Sequence, residues 1–152
     1  TVRERVAETT GDFVVRRRDG VFAYQLAVVV DDIEMAIDEV VRGADPLDST
    51  ARQIELIEAL GGERPAYAHV PLVRNSRGEK LSKRDGAVTL RSLRGAGIAA
   101  RQVVGYLAWS LGLLDRPVAC APRELVAGFR WSAVRRDELV VPVDLESQLR
   151  AA

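Results

Sequence analysis

The sequence of 152 residues contains one cysteine and one histidine. The lone Cys120 excludes an internal disulfide and any zinc site built from several cysteines, and a single thiol suits a reducing compartment. Charge of one sign is also missing: 22 Lys and Arg balance 22 Asp and Glu, for a formal net charge of +0. No global basic field therefore draws in nucleic acid or an anionic membrane, and any such binding rests on a local patch. No apolar run approaches the roughly 18 residues needed to cross a bilayer. The opening "TVRERVAETTGDF" is polar, unlike a signal peptide. It lacks an initiator methionine and reads as a cut end of something longer. Internal repeats and low-complexity segments are absent. What remains is 47% hydrophobic and 29% charged residues, the composition of one ordinary globular domain with a real core.

Local patterns predict an α/β part up to residue 88 and an α-helical part over 89–152. "DFVVRRRDGVFAY" (12–24) reads as a hairpin turning at Asp19-Gly20, with the arginine run on its exposed edge. In 25–37, Val28 to Val30 favour a strand, but Leu26, Val29, Val30, Ile33 and Ile37 recur at helical spacing, and a helix is expected. A short strand follows at 38–43. Asp48, Ser49 and Thr50 offer caps for a helix over 50–62 with Ile54, Ile57 and Leu60 on one stripe and Gly61 as its stop. "AYAHVPLV" (66–73) reads as a buried strand interrupted by Pro71, and 74–80 as a turn. Short helices are expected around 89–97, 99–114 and 122–131, the last with proline in its first turn. Trp109 and Trp131 are read as core, and "DLESQLRAA" as a polar tail.

The charged residues concentrate in "GEKLSKRDGA" (78–87), where Lys80, Ser82 and Lys83 lie between Gly78 and Gly86. A triphosphate in mid-reaction spreads charge over several oxygens. Ammonium groups on flexible stems, with hydroxyl or backbone donors nearby, answer that charge. A solvated surface turn is the alternative for so short a motif. His69, within a strand and beside no cysteine, suits a core or adenine-pocket role better than metal binding. Asp31 and Asp32 are helix neighbours that point apart, which disfavours a shared metal, and Asp45 suits a turn. No metal ligands are assigned.

"KLSKR" resembles the KMSKS signature of class I aminoacyl-tRNA synthetases, with the preceding strand and the following helices in the expected order. The segment 22–61, with "RGAD" at its centre, resembles the glutamate subclass. Within that subclass, "GDFVVRRRDGVFAYQLAVVVDD" is closer to the glutamyl-queuosine tRNA(Asp) synthetase paralogues. The resemblance covers roughly residues 11–140. It implies the C-terminal half of a Rossmann-type catalytic domain (1–88), followed by a small α-helical stem-contact region and tail (89–152).

Carried over by motif, Tyr24 matches a tyrosine lining the glutamate pocket, and Arg42 an arginine that binds the substrate carboxylate. A planar guanidinium can bind a carboxylate through two hydrogen bonds. The alternatives are a core aromatic and a strand-end cap. Lys83 matches the lysine that contacts ATP, Lys80 and Ser82 the rest of the loop, and backbone near Val70 to Leu72 the adenine contact. The resemblance further implies ATP and Mg²⁺ as cofactors, glutamate and queuosine-bearing tRNA(Asp) as partners, no membrane partner, a cytoplasmic setting, and a monomer when complete. The HIGH-type motif and the cysteine cluster that holds zinc in many paralogues are absent and belong N-terminal to Thr1. This stretch alone is therefore expected to bind weakly and catalyse little. Two other readings stand beside it: a piece of a glutamyl-tRNA synthetase charging the tRNA 3′ end, and a non-catalytic nucleotide- or RNA-binding relative.

Overall fold

The computed structural model describes residues 5–81 and 88–151, and the chain divides into two compact units, Thr1–His69 and Val70–Ala152. The division precedes the change of composition at residue 88. Its physical reason is the pairing of residues 73–74 with a strand near the C-terminus, which ties the segment after Pro71 to the helical part.

In the first unit the helical period prevails over strand propensity. After a short helix α1 (Val6–Thr9), the valine-rich segment forms helix α2 (Tyr24–Glu34), burying Val29 completely. A two-stranded sheet pairs β1 (Glu39–Gly43) with β2 (Ala66–Val70), and helix α3 (Leu47–Ala59) runs between them in sequence and packs against α2. Helix α3 starts three residues before the expected position, at Leu47, with Pro46 at its N-cap and no side chain capping it. Thr50 is thereby inside the helix rather than at its cap, free to bond elsewhere. The helix ends as expected: Gly61, at φ 73°, and Gly62 donate to the carbonyls of Glu58 and Ile57, satisfying the last turn. The segment 12–23 keeps its hairpin turn but little ladder. An antiparallel bridge joins Arg16 to Phe22, and Gly20 sits at φ 87°.

In the second unit, β3 (Val73–Arg74) is followed by helices α4 (Leu90–Gly95), α5 (Ala100–Ser110) and α6 (Pro122–Val126), a 3₁₀ turn (Trp131–Ala133), β4 (Leu139–Val140) and helix α7 (Leu145–Arg150). Thr89 and Ser92 form a reciprocal capping box at the start of α4. The core gathers Leu93, Ile98, Tyr106, Leu145 and Leu149, with Trp109 packed against it. Two expectations are corrected here. The tail is a helix that inserts Leu145 and Leu149 into the core, the latter only 1% exposed. Trp131 is not core: it is 44% exposed and packs edge-on against Phe129. Beside the core lies an apolar cavity of about 200 Å³ lined by residues including Val73, Leu81, Val103 and Leu149.

Candidate functional site

Strand geometry organises the polar centre of the first unit. Residues two apart on a strand share a face, so Tyr67 and His69 of β2 lie together, their rings nearly parallel with centroids 6.4 Å apart. Arg42, on β1, extends over this face. Its guanidinium lies 5.3 Å from the Tyr67 ring centre, a cation–π distance. Arg42 Nε donates to His69 Nε2 at 3.3 Å, and Arg42 Nη2 donates to Thr50 Oγ1 at 2.8 Å. The Thr50 hydroxyl is also 3.2 Å from His69 Nε2. Arginine can only donate, so His69 Nε2 carries a lone pair and the ring is neutral with its proton on Nδ1.

The electrostatics agree with a neutral ring. Burial, and then repulsion from Arg42, hold His69 below its usual pKa. Burial raises the Asp32 carboxyl, against the attraction of Arg42 and with help from Asp31. Burial also raises the Tyr67 phenol, whose hydroxyl is buried with no hydrogen-bond partner among the described residues. Both side-chain acceptors of Arg42 are thus neutral, and among the described residues no carboxylate forms an ion pair with it. Its positive charge is oriented by these neutral acceptors and is felt by the Asp32 carboxyl. Such a group suits an incoming carboxylate, because its direction is set before the ligand arrives.

A second set of amides links this centre to the start of α2. Gln25 Nε2 donates to Ser49 Oγ at 2.9 Å, and Gln53 Nε2 donates to Gln25 Oε1 at 2.8 Å. Gln53 is 1% exposed. Tyr24 precedes Gln25 as the first residue of α2 and is 64% exposed. Within this chain Tyr24 therefore packs into no core. The first turns of α3 therefore hold both neighbourhoods, Ser49 on the side of Tyr24-Gln25 and Thr50 on the side of Arg42.

Lys80 belongs to the second unit, where it is exposed and bridges antiparallel to Arg74. Ser82 and Lys83 lie outside the described residues. Sequence reasoning missed Thr50, Gln25 and Gln53, and weighed His69 without its partner. A buried glutamine on the apolar stripe of α3, next to Ile54 and Ile57, was the available signal. Among the described residues no group of three or more His, Cys, Asp or Glu is placed to hold a metal ion, and no helix is long and apolar enough to cross a membrane.

Residues 1–113 match the catalytic domain of class I tRNA synthetases (E and Q). The chain belongs to the class I aminoacyl-tRNA synthetase family. Within this family of ligases, it is 47% identical over 140 residues to a glutamyl-Q tRNA(Asp) synthetase of Nitratidesulfovibrio vulgaris, an alignment covering 92% of the chain and 43% of that protein. It is 49% identical over 108 residues to a glutamate–tRNA ligase of Burkholderia cenocepacia, covering 69% of the chain and 23% of that protein. The crystal structure of a glutamate tRNA ligase from Elizabethkingia meningosepticum in complex with its amino acid is similar, with a TM-score of 0.74 and 26% identity over 93% of this chain and 32% of that one. The chain thus spans less than half the length of these synthetases.

Proposed function

We propose that this synthetase-family chain is the part of a glutamyl-queuosine tRNA(Asp) synthetase that holds glutamate and the phosphates of ATP. The observation that carries the reading is the Arg42 guanidinium, oriented by the neutral acceptors His69 and Thr50. It would take the side-chain carboxylate of glutamate, with Tyr24 lining the same pocket. The α-carboxylate oxygen then attacks the α-phosphorus of ATP, the bond to the leaving pyrophosphate breaks, and Lys80 and Lys83 neutralise the charge that develops there. Magnesium would enter on the phosphates of ATP, as is usual for this ion; the described residues offer no carboxylate cluster for it, and no step is assigned to it. A queuosine hydroxyl then attacks the carbonyl carbon of the adenylate, the acyl–phosphate bond breaks and AMP leaves, with residues 89–152 supplying the contact to the RNA stem.

The similarity to the glutamyl-Q tRNA(Asp) synthetase covers 92% of the chain, against 69% for the glutamate–tRNA ligase. This difference favours queuosine as acceptor, and the ligase similarity keeps charging of the tRNA 3′ end as the second reading. The deciding experiment offers radioactive glutamate and ATP to the whole protein with tRNA(Asp) bearing queuosine, tRNA(Asp) lacking it, and tRNA(Glu). Labelling confined to the first supports the proposal. Labelling of tRNA(Glu) alone replaces it with the second reading, and labelling of none of the three favours a binding module.

A further inference from the structure

We infer that Arg74 and Glu138 are positioning residues that fix the backbone from which Lys80 reaches its phosphate. The inference rests on the loop lysines acting as proposed above, and it adds two residues that no motif marks.

Arg74 has backbone partners on both sides, a strand on one and an isolated bridge on the other. On one side, β3 pairs in parallel with β4, with Val73 opposite Leu139 and Arg74 opposite Val140. Leu139 N donates to Leu72 O at 3.0 Å, and Val141 N donates to Arg74 O at 2.8 Å. On the other side the chain returns from a tight turn. Asn75 N donates to Glu79 O at 2.8 Å, Leu81 N donates to Val73 O at 3.0 Å, and Lys80 bridges Arg74. The turn is braced from within, since Asn75 Oδ1 accepts from the backbone amides of Arg77 and Glu79 at 2.9 and 3.0 Å.

The Arg74 side chain locks the two sides together. Its Nε and Nη2 donate to the two carboxylate oxygens of Glu138, the second at 2.7 Å, and its Nη1 donates to the Gly78 carbonyl at 3.0 Å. One guanidinium thus joins a residue 64 positions away to the turn two residues before Lys80. The hydrogen bonds from Arg74 hold the Glu138 carboxyl below its usual range, which keeps it charged. The pair is partly exposed, and exposed ion pairs contribute little to stability. What the two-pronged geometry supplies is direction. A lysine on a flexible four-carbon stem stabilises developing charge efficiently only if its origin is fixed, because a small misplacement is costly in rate.

The test uses the whole protein carrying Glu138→Ala or Arg74→Lys, the latter keeping the charge while losing the fork. Three quantities are read: glutamate-dependent pyrophosphate exchange, KM for glutamate, and amide hydrogen exchange. Each variant should lower kcat for pyrophosphate exchange by about 10-fold while KM stays within about twofold. The amides of Glu79 and Leu81 should exchange about 10-fold faster, with those of α5 unchanged. Glu138→Gln, which keeps an acceptor oxygen, should recover part of the rate. Wild-type kcat in both variants overturns the inference, whether or not the amides speed up. A loss of protection throughout the chain in Glu138→Ala leaves the decision to Arg74→Lys by the same criteria. If the unsubstituted protein shows no glutamate-dependent exchange, the functional reading has failed instead, and the amides of Glu79 and Leu81 alone decide whether the pair fixes the Lys80 strand.

Discussion

Arg42 Nε donates to His69 Nε2 across 3.3 Å, so a cation is oriented by a titratable ring that must stay neutral to accept the bond. Protonation of His69 would remove the lone pair and place two positive charges in contact. The ring faces Arg42 and Thr50 and lies beside Tyr67, and Asp32 is the carboxyl whose charge Arg42 influences. The folded-state pKa lies below the ordinary value of about 6.5, owing first to burial and then to Arg42. A depressed pKa contributes stability that is complete above the unfolded value and is lost as pH falls through the folded one. Glutamate affinity should therefore hold from neutral pH to somewhat below 6.5 and then fall. Titration calorimetry across that range checks this, and in His69→Asn this acid limb should disappear.

Arg42→Leu separates amino-acid recognition from nucleotide binding. Glutamate affinity should fall by about 10²-fold or more, the scale of a lost charge-assisted pair, while ATP affinity changes little. Calorimetry with each ligand reads both. An equal loss for ATP would make Arg42 a nucleotide or structural contact.

Gly105 lies where helix α5 passes the backbone of Val118 and Ala119, and a Cβ there would overlap the Val118 carbonyl. Backbone cannot yield as a side-chain end can. Gly105→Ala should cost about 3 kcal/mol, read as a lower urea midpoint, despite the better helix propensity of alanine.

Leu149→Ala tests the terminal helix. At 1% exposure within the core of the second unit, Leu149 should cost about 3 kcal/mol on truncation. Urea unfolding reads the loss. A change under about 0.5 kcal/mol, ordinary for a surface site, would mean that α7 does not hold the core together.

Much of this protein is written in short-range pattern. The stripe of Leu26, Val29, Val30 and Ile33 specifies α2 because the helical period brings those side chains to one face over two turns. Gly61 ends α3 because its backbone accepts a positive φ. The RGAD and KLSK motifs, in order, marked the family that residues 1–113 match. The sequence alone could not show what holds Arg42, since Thr50 and His69 lie eight and 27 positions from it and meet it only when α3 and β2 come together. Nor could it show that α7 is core, because two leucines four apart make a single turn, too short for a period to register. The Arg74–Glu138 lock spans 64 positions. Local pattern sets which segments coil or extend. Which distant polar groups end up within hydrogen-bond reach is decided only when the chain closes on itself and each buried donor must find an acceptor.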